Sequence, residues 1–232
     1  MDKDVETAKR FFKEMSIKLS GAGYAPQKPY DGYLPVVWRG EELCRVTNGG
    51  GVRFREANLE REGARAAFEQ VVEMTTQTHE YMRLMENAPP LAAAGLDETY
   101  KVLADFNGAV LAAHPTSHGV QLITWEWGFD HNSVYHGHYF SGDYAGAKTD
   151  FAIRANILER DRLFSPEQQT EVYRAIHETL DSVYPMTAER QKLLESAAEQ
   201  IERTVPDLDR RIDLSNQREL ELASEQLTQA MV

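Results

Sequence analysis

YKVLADFNGAVLAAH, residues 100–114, decides the architecture. Two alternating apolar runs flank Asn107-Gly108, the pair that best tolerates the two positive φ angles of a type I′ turn. The stretch therefore predicts an antiparallel hairpin. GVQLITWEW (119–127) and SVYHGHYF (133–140), joined by GFDHN, extend it to a four-stranded meander. A sheet of this size with one apolar face needs a cover, and helices supply it.

Helical patterns lie on both sides. Upstream, residues 60–87 contain no proline, and Ala64, Phe68, Val71, Thr75, Met82 and Met85 recur at helical spacing until Ala88-Pro89-Pro90 stops them. Before that, residues 34–54 hold three short β-rich runs (36–38, 43–46 and 52–54), with turns at 39–41 and 48–51. Residues 5–19 read as an amphipathic helix carrying Phe11, Phe12, Met15 and Leu19, and 21–33 as a Gly/Pro/Tyr linker. Residues 34–75 and 99–157 share a plan of hairpins leading into a helix, which suggests two ββ(β)α units.

Downstream the chain turns helical. Tyr144, Ala147, Phe151 and Ala155 mark one stripe. Ser165-Pro166-Glu167-Gln168 is a capping box with proline at the first helical position. It opens a helix striped by Val172, Ile176, Leu180 and Val183. Thr187 caps another, striped by Leu193, Ala197, Ile201 and Val205, and Asn216 with Glu219 boxes a last one striped by Leu220, Ala223, Leu227 and Ala230. The expectation is an α+β fold: antiparallel hairpins in a meander packed against helices, with a helical C-terminal third. Its parts are an N-terminal helix and linker (1–32), an α+β domain (33–158) and a helical region (159–232). The last stripe is short on bulk, which leaves room for a homodimer through that helix.

The bulk numbers exclude several functions. Of 232 residues, 25 are Lys or Arg and 37 are Asp or Glu, a net charge of −12. Nucleic-acid binding needs a cationic surface, so none is expected. No run approaches the apolar length of a membrane span, and the charged N-terminus lacks the apolar core of a signal peptide. With one cysteine, Cys44, no intrachain disulfide can form. A cytoplasmic protein is the expectation. The acidity is spread: 21 acidic against 16 basic residues up to 158, and 16 against 9 after it.

Chemistry concentrates in the meander. His114, His118, His131, His136 and His138 are five of the seven histidines. Residues two apart on a strand share a face, so His136 and His138, with His131, could ligate a metal and serve a hydrolase or nuclease. Against this, Trp125, Trp127, Tyr135 and Tyr139 interleave with them, as on a half-buried sheet face, and no HExxH supports ligation. Glu126 sits between two tryptophans that could desolvate it. The same aromatics could bind a partner, because Trp and Tyr dominate interface hot spots. The binding candidates are Trp125, Glu126, Trp127, Tyr135 and Tyr139. Cys44, mid-strand, reads as a buried small hydrophobe. No G-x-S-x-G occurs, and the 48–51 turn lacks the Lys-Ser/Thr of a phosphate loop, so neither a nucleophile nor a cofactor is expected.

Several phrases together carry a resemblance: Leu43-Cys44-Arg45 with Gly50-Gly51-Val52-Arg53, Glu80-Tyr81-Met82, Ala104-Asp105-Phe106-Asn107-Gly108, Thr124-Trp125-Glu126, Gly137-His138-Tyr139, Ala147-Lys148-Thr149-Asp150-Phe151-Ala152 and Glu171-Val172-Tyr173-Arg174. Over about residues 33–206 the chain resembles an uncharacterised domain encoded on conjugative and other mobile elements of gut Clostridia and other Firmicutes. The resemblance implies genomic company, such as relaxases and anti-restriction proteins, and no reaction. With the acidic charge it leads to an expectation of a non-enzymatic accessory protein acting through protein contacts, in one form an acidic inhibitor of a host DNA-targeting defence enzyme.

Overall fold

In the computed structural model, which describes residues 2–159, 164–182, 185–205 and 207–230, Asn107 and Gly108 hold φ of 48° and 82°. That is the type I′ geometry expected of the pair. The chain divides into two compact units, Met1–Leu158 and Glu159–Val232.

The first unit runs α1 (Asp2–Gly21), β1 (Ala25–Pro26), β2 (Tyr33–Trp38), β3 (Glu41–Thr47), β4 (Val52–Arg53), α2 (Glu56–Leu59), α3 (Ala64–Asn87), β5 (Lys101–Phe106), β6 (Ala109–Thr116), β7 (Gly119–Trp127), β8 (Val134–Phe140) and α4 (Tyr144–Arg154). Strands β1–β4 form one antiparallel meander and β5–β8 a second, each in chain order. The fold is α+β, as expected. Two boundaries differ from the sequence reading. Residues 25–26 of the expected linker pair with Val36 and Val37 as a short edge strand. The long helix begins at Ala64, not at 60, because Gly63 adopts a left-handed φ of 75° just before it.

Residues 1–32 belong to this first unit. Phe11, Phe12, Met15 and Leu19 are all buried, packed with Leu34, Val36, Leu43 and Val46 of the first sheet. Helix α3, 24 residues and about 36 Å long, serves both sheets. Its first half gives Ala64, Ala67 and Val71 to the first core. Its second half gives Tyr81 and Met85 to a core with Leu111, Leu122, Tyr144 and Ala147. The opposite face of the second sheet, with Val110, Ile123 and Trp125, is covered by Leu91 and Tyr100 of the 88–100 segment.

One polar seam crosses these cores. Glu14 on α1 is 5% exposed. The Tyr81 hydroxyl donates to its Oε1 at 2.6 Å, and the Val120 N–H donates to both carboxylate oxygens at 3.0 and 3.1 Å. A single carboxylate thereby joins α1, α3 and β7.

The second unit contains α5 (Pro166–Leu180), α6 (Ala188–Thr204) and α7 (Leu208–Ala230), with α5 packed against both others. The capping box forms in full: Gln168 N–H donates to Ser165 Oγ at 3.2 Å, and Ser165 N–H donates to Gln168 Oε1 at 2.8 Å. Ser165→Ala is expected to destabilise this unit by about 1 kcal/mol, read as an earlier urea midpoint for helix loss. Of the stripe expected on α6, Val205 is buried and Ala197 and Ile201 are half-buried, but its first member faces out. Leu193 is 68% exposed while Ala198 is buried, because a strict four-residue row drifts around a helix of 3.6 residues per turn. Asn216 lies inside α7, which starts at Leu208, so it caps nothing. Val183 and the side chains of Leu220, Ala223, Leu227 and Ala230 lie outside the described residues.

Candidate functional site

The second sheet brings chemistry-bearing side chains together where β7, β8 and α4 meet. The register of β7 with β8 passes from Thr124↔His138 to Glu126↔Tyr135, so β8 carries one extra residue there. His136 takes up this bulge with a left-handed φ of 53°. Gly137 is required beside it: a Cβ there would approach Trp125 Nε1 to 2.5 Å. Bulges of this kind re-aim side chains. Here both His136 and His138 still reach the side of the sheet that carries Glu126 and Asp150.

The two imidazoles serve different carboxylates. His136 Nδ1 lies 3.1 Å from Glu126 Oε2, and His138 Nδ1 lies 3.1 Å from Asp150 Oδ1. A carboxylate only accepts, so each Nδ1 carries its proton. Between them stands Arg154, its side chain 7% exposed. It donates through Nη1 to Glu126 Oε1 at 3.2 Å and through Nε to Asp150 Oδ2 at 2.8 Å. The Thr124 hydroxyl also donates to Asp150. Burial would raise the Asp150 pKa, but the Thr124 hydroxyl, the His138 imidazole and the Arg154 guanidinium hold it below the ordinary carboxylate value.

This arrangement braces α4 against the sheet. His131 does not join it: its ring lies 5.4 Å from that of Trp127, in the β7–β8 turn. Among the described residues, no group of three or more His, Cys, Asp or Glu is placed to hold a metal ion. The expected trio of His131, His136 and His138 is therefore not a ligand set. Cys44 is buried, and burial pushes its thiol up to about 12, with Glu42 adding to the rise. That rules out a thiolate nucleophile at neutral pH.

The aromatic candidates separate into two groups. Trp125 is 4% exposed and packs edge-on against Tyr100 at 4.9 Å, which places it in the core of the second sheet. Tyr139 is 61% and Tyr135 55% exposed. At the end of the sheet where β5 and β7 finish and β8 begins, Tyr135 is joined by Trp127, Phe106 at 58% and Phe129 at 107%. Trp127 is fixed by its indole N–H donating to Asp105 Oδ2 at 3.1 Å, and by its backbone N–H donating to Gly108 at 2.8 Å. Asn107 secures the neighbouring turn by donating to the Ala155 carbonyl at 3.1 Å. Asp130 lies in the β7–β8 turn, and hydrogen bonds from the Asn132 backbone and side chain hold its pKa low.

Sequence reasoning missed Asp150, Arg154, Thr124, Phe106 and Phe129. Asp150 and Arg154 were legible only as an i,i+4 charge pair on a helix read for its apolar stripe. Phe106 and Phe129 flank turns, and only the sheet topology brings them to one end. No protein-family model, curated protein or solved structure matches this chain.

Proposed function

We propose that the chain is a non-enzymatic accessory protein, cytoplasmic and carried by a mobile element as the resemblance implies, that binds a basic surface of a partner protein through the aromatic end of its second sheet. The observation that carries this reading is the gathering of Phe106, Trp127, Phe129 and Tyr135 at one sheet end, with Phe129 as exposed as in an extended peptide. Exposed aromatic side chains brought to one sheet end are the residue types that dominate interface hot spots. Asp105 and Asp130 stand among these rings. Aromatic faces and carboxylates are together the complement of Lys and Arg side chains. The net charge of −12 adds long-range attraction to a basic partner.

The partner chemistry is that of a cationic groove, such as the one a DNA-targeting enzyme presents. Imitation of a phosphate backbone along a whole face has less support. Glu6 pairs with Arg10, Glu42 with Arg45, Glu41 with Arg61, Glu56 with Arg65 and Glu80 with Lys148. Carboxylates so paired are locally neutralised. The His–carboxylate–Arg network serves as a brace for the platform, since its guanidinium is engaged by two carboxylates.

The test is calorimetric titration with a Lys/Arg-rich peptide and with the same peptide carrying glutamine for each cation. Saturable binding of the basic peptide alone is expected. A Phe129→Ala/Tyr135→Ala double variant should weaken it by about thirtyfold to several hundredfold, at about 1–2 kcal/mol for each truncated anchor. Both side chains are exposed, so the fold is not at risk. Equal affinity of wild type and variant sinks the proposal.

A further inference from the structure

A cleft of about 540 Å³ opens on the far side of the Glu14 seam, with Lys18 in its wall, a size within the range of small-molecule sites. We propose that Lys18 is the reactive amine of a carbonyl-binding site in this cleft, taking a short hydroxyaldehyde as an imine. Three observations converge. Lys18 is fixed at its head and along its stem: its Nζ lies over the Tyr81 ring, 5.1 Å from the centroid, and a Cβ at Gly142 would meet its Cε at 3.5 Å. Four residues earlier on the same helix, the buried Glu14 carboxylate also lines the cleft. The remaining wall is mixed, with Ile17 and Met74 apolar and Gln121 and Ser141 offering an amide and a hydroxyl to a hydroxylated ligand. Burial lowers the Lys18 pKa, and the Glu14 and Asp143 carboxylates offset only part of that drop. A desolvated lysine is the common form of an imine-forming amine.

The step balances without a co-reactant. Lys18 releases one ammonium proton to solvent. Its nitrogen pair then forms the C–N bond as the carbonyl π pair moves to oxygen. A proton passes from nitrogen to that oxygen, giving the carbinolamine. A further proton from solvent lets the oxygen leave as water while C=N forms. The site is separate from the aromatic end of the sheet, so the partner-binding reading stands or falls without it.

The experiment uses the whole chain, limiting glycolaldehyde and cyanoborohydride at pH 7, followed by peptide mass spectrometry. Lys18 is expected to be labelled severalfold faster than the exposed Lys13. That preference should vanish when the reaction is run in urea. Formaldehyde, which lacks the hydroxyl, should show no dependence on Gln121→Ala/Ser141→Ala, whereas glycolaldehyde labelling should slow in that variant. Labelling of Lys18 no faster than Lys13, or a preference that survives in urea, overturns the reactive-amine assignment. Equal slowing with both aldehydes overturns the hydroxyaldehyde assignment.

Discussion

Glu14→Ala is expected to destabilise the first unit by about 3 kcal/mol, because it orphans two buried donors at once and each costs about 1–3 kcal/mol. Those donors are the Tyr81 hydroxyl and the Val120 N–H, which converge on the carboxylate from α3 and β7. Tyr81 is fully buried. Burial and the adjacent carboxylate push its hydroxyl pKa far upward, so it remains a donor across the working pH range. Glu14→Gln keeps a carbonyl oxygen where Oε1 accepts from both groups and should lose less than half as much. Urea unfolding followed by tryptophan fluorescence gives the comparison. Hydrogen exchange adds a local readout, since amides of α1 should lose protection ahead of those in β6 and β7. A Glu14→Ala variant with wild-type stability would mean that water replaces the carboxylate, and that the seam does not fasten α1 to the second sheet.

The legible part of this molecule is the part written in short-range periodicity. Asn107-Gly108 specifies its own turn, and the alternation on either side specifies which residues face the cores. Phe11, Phe12, Met15 and Leu19 announce their burial by spacing alone. What periodicity cannot carry is a break in the period. The bulge at His136 rests on the demand of Trp125 for space above Gly137, a contact between strands. His136 and His138 still reach one side of the sheet, but each imidazole is taken up by a different carboxylate and, among the described residues, no third ligand joins them, which spacing along the chain does not reveal. The seam at Glu14 was hidden for a related reason. A glutamate on an amphipathic helix reads as solvated, and only the approach of Tyr81 and Val120 from 67 and 106 positions away makes it part of the core. The aromatic end was half visible. Trp127 and Tyr135 were candidates from composition, whereas Phe106 and Phe129 needed the strand order.

The network on α4 makes the second prediction, and its sign follows from Asp150. That carboxyl titrates in the folded protein below its ordinary value. A depressed carboxylate pKa contributes stability that is complete above the unfolded value, about 3.9 for Asp, and is lost as pH falls through the folded value. Arg154→Met removes the cation while keeping most of the stem's packing. It leaves Asp150, 15% exposed at its side chain, and the half-exposed Glu126 facing each other. Removing one partner of a buried pair costs about 3–5 kcal/mol, and exposure of Glu126 reduces this to about 2–3 kcal/mol at pH 7. The difference between wild type and variant should narrow as pH falls below about 3.9 and Asp150 begins to protonate through its depressed folded value, since a neutral carboxyl no longer needs the guanidinium. Urea midpoints measured at pH 7, 5 and 3 test this directly. A gap as wide at pH 3 as at pH 7 would assign the role of Arg154 to packing. A gap that closes with acid identifies charge as what holds α4 to the sheet, and with it the platform that carries Trp127 and Tyr135.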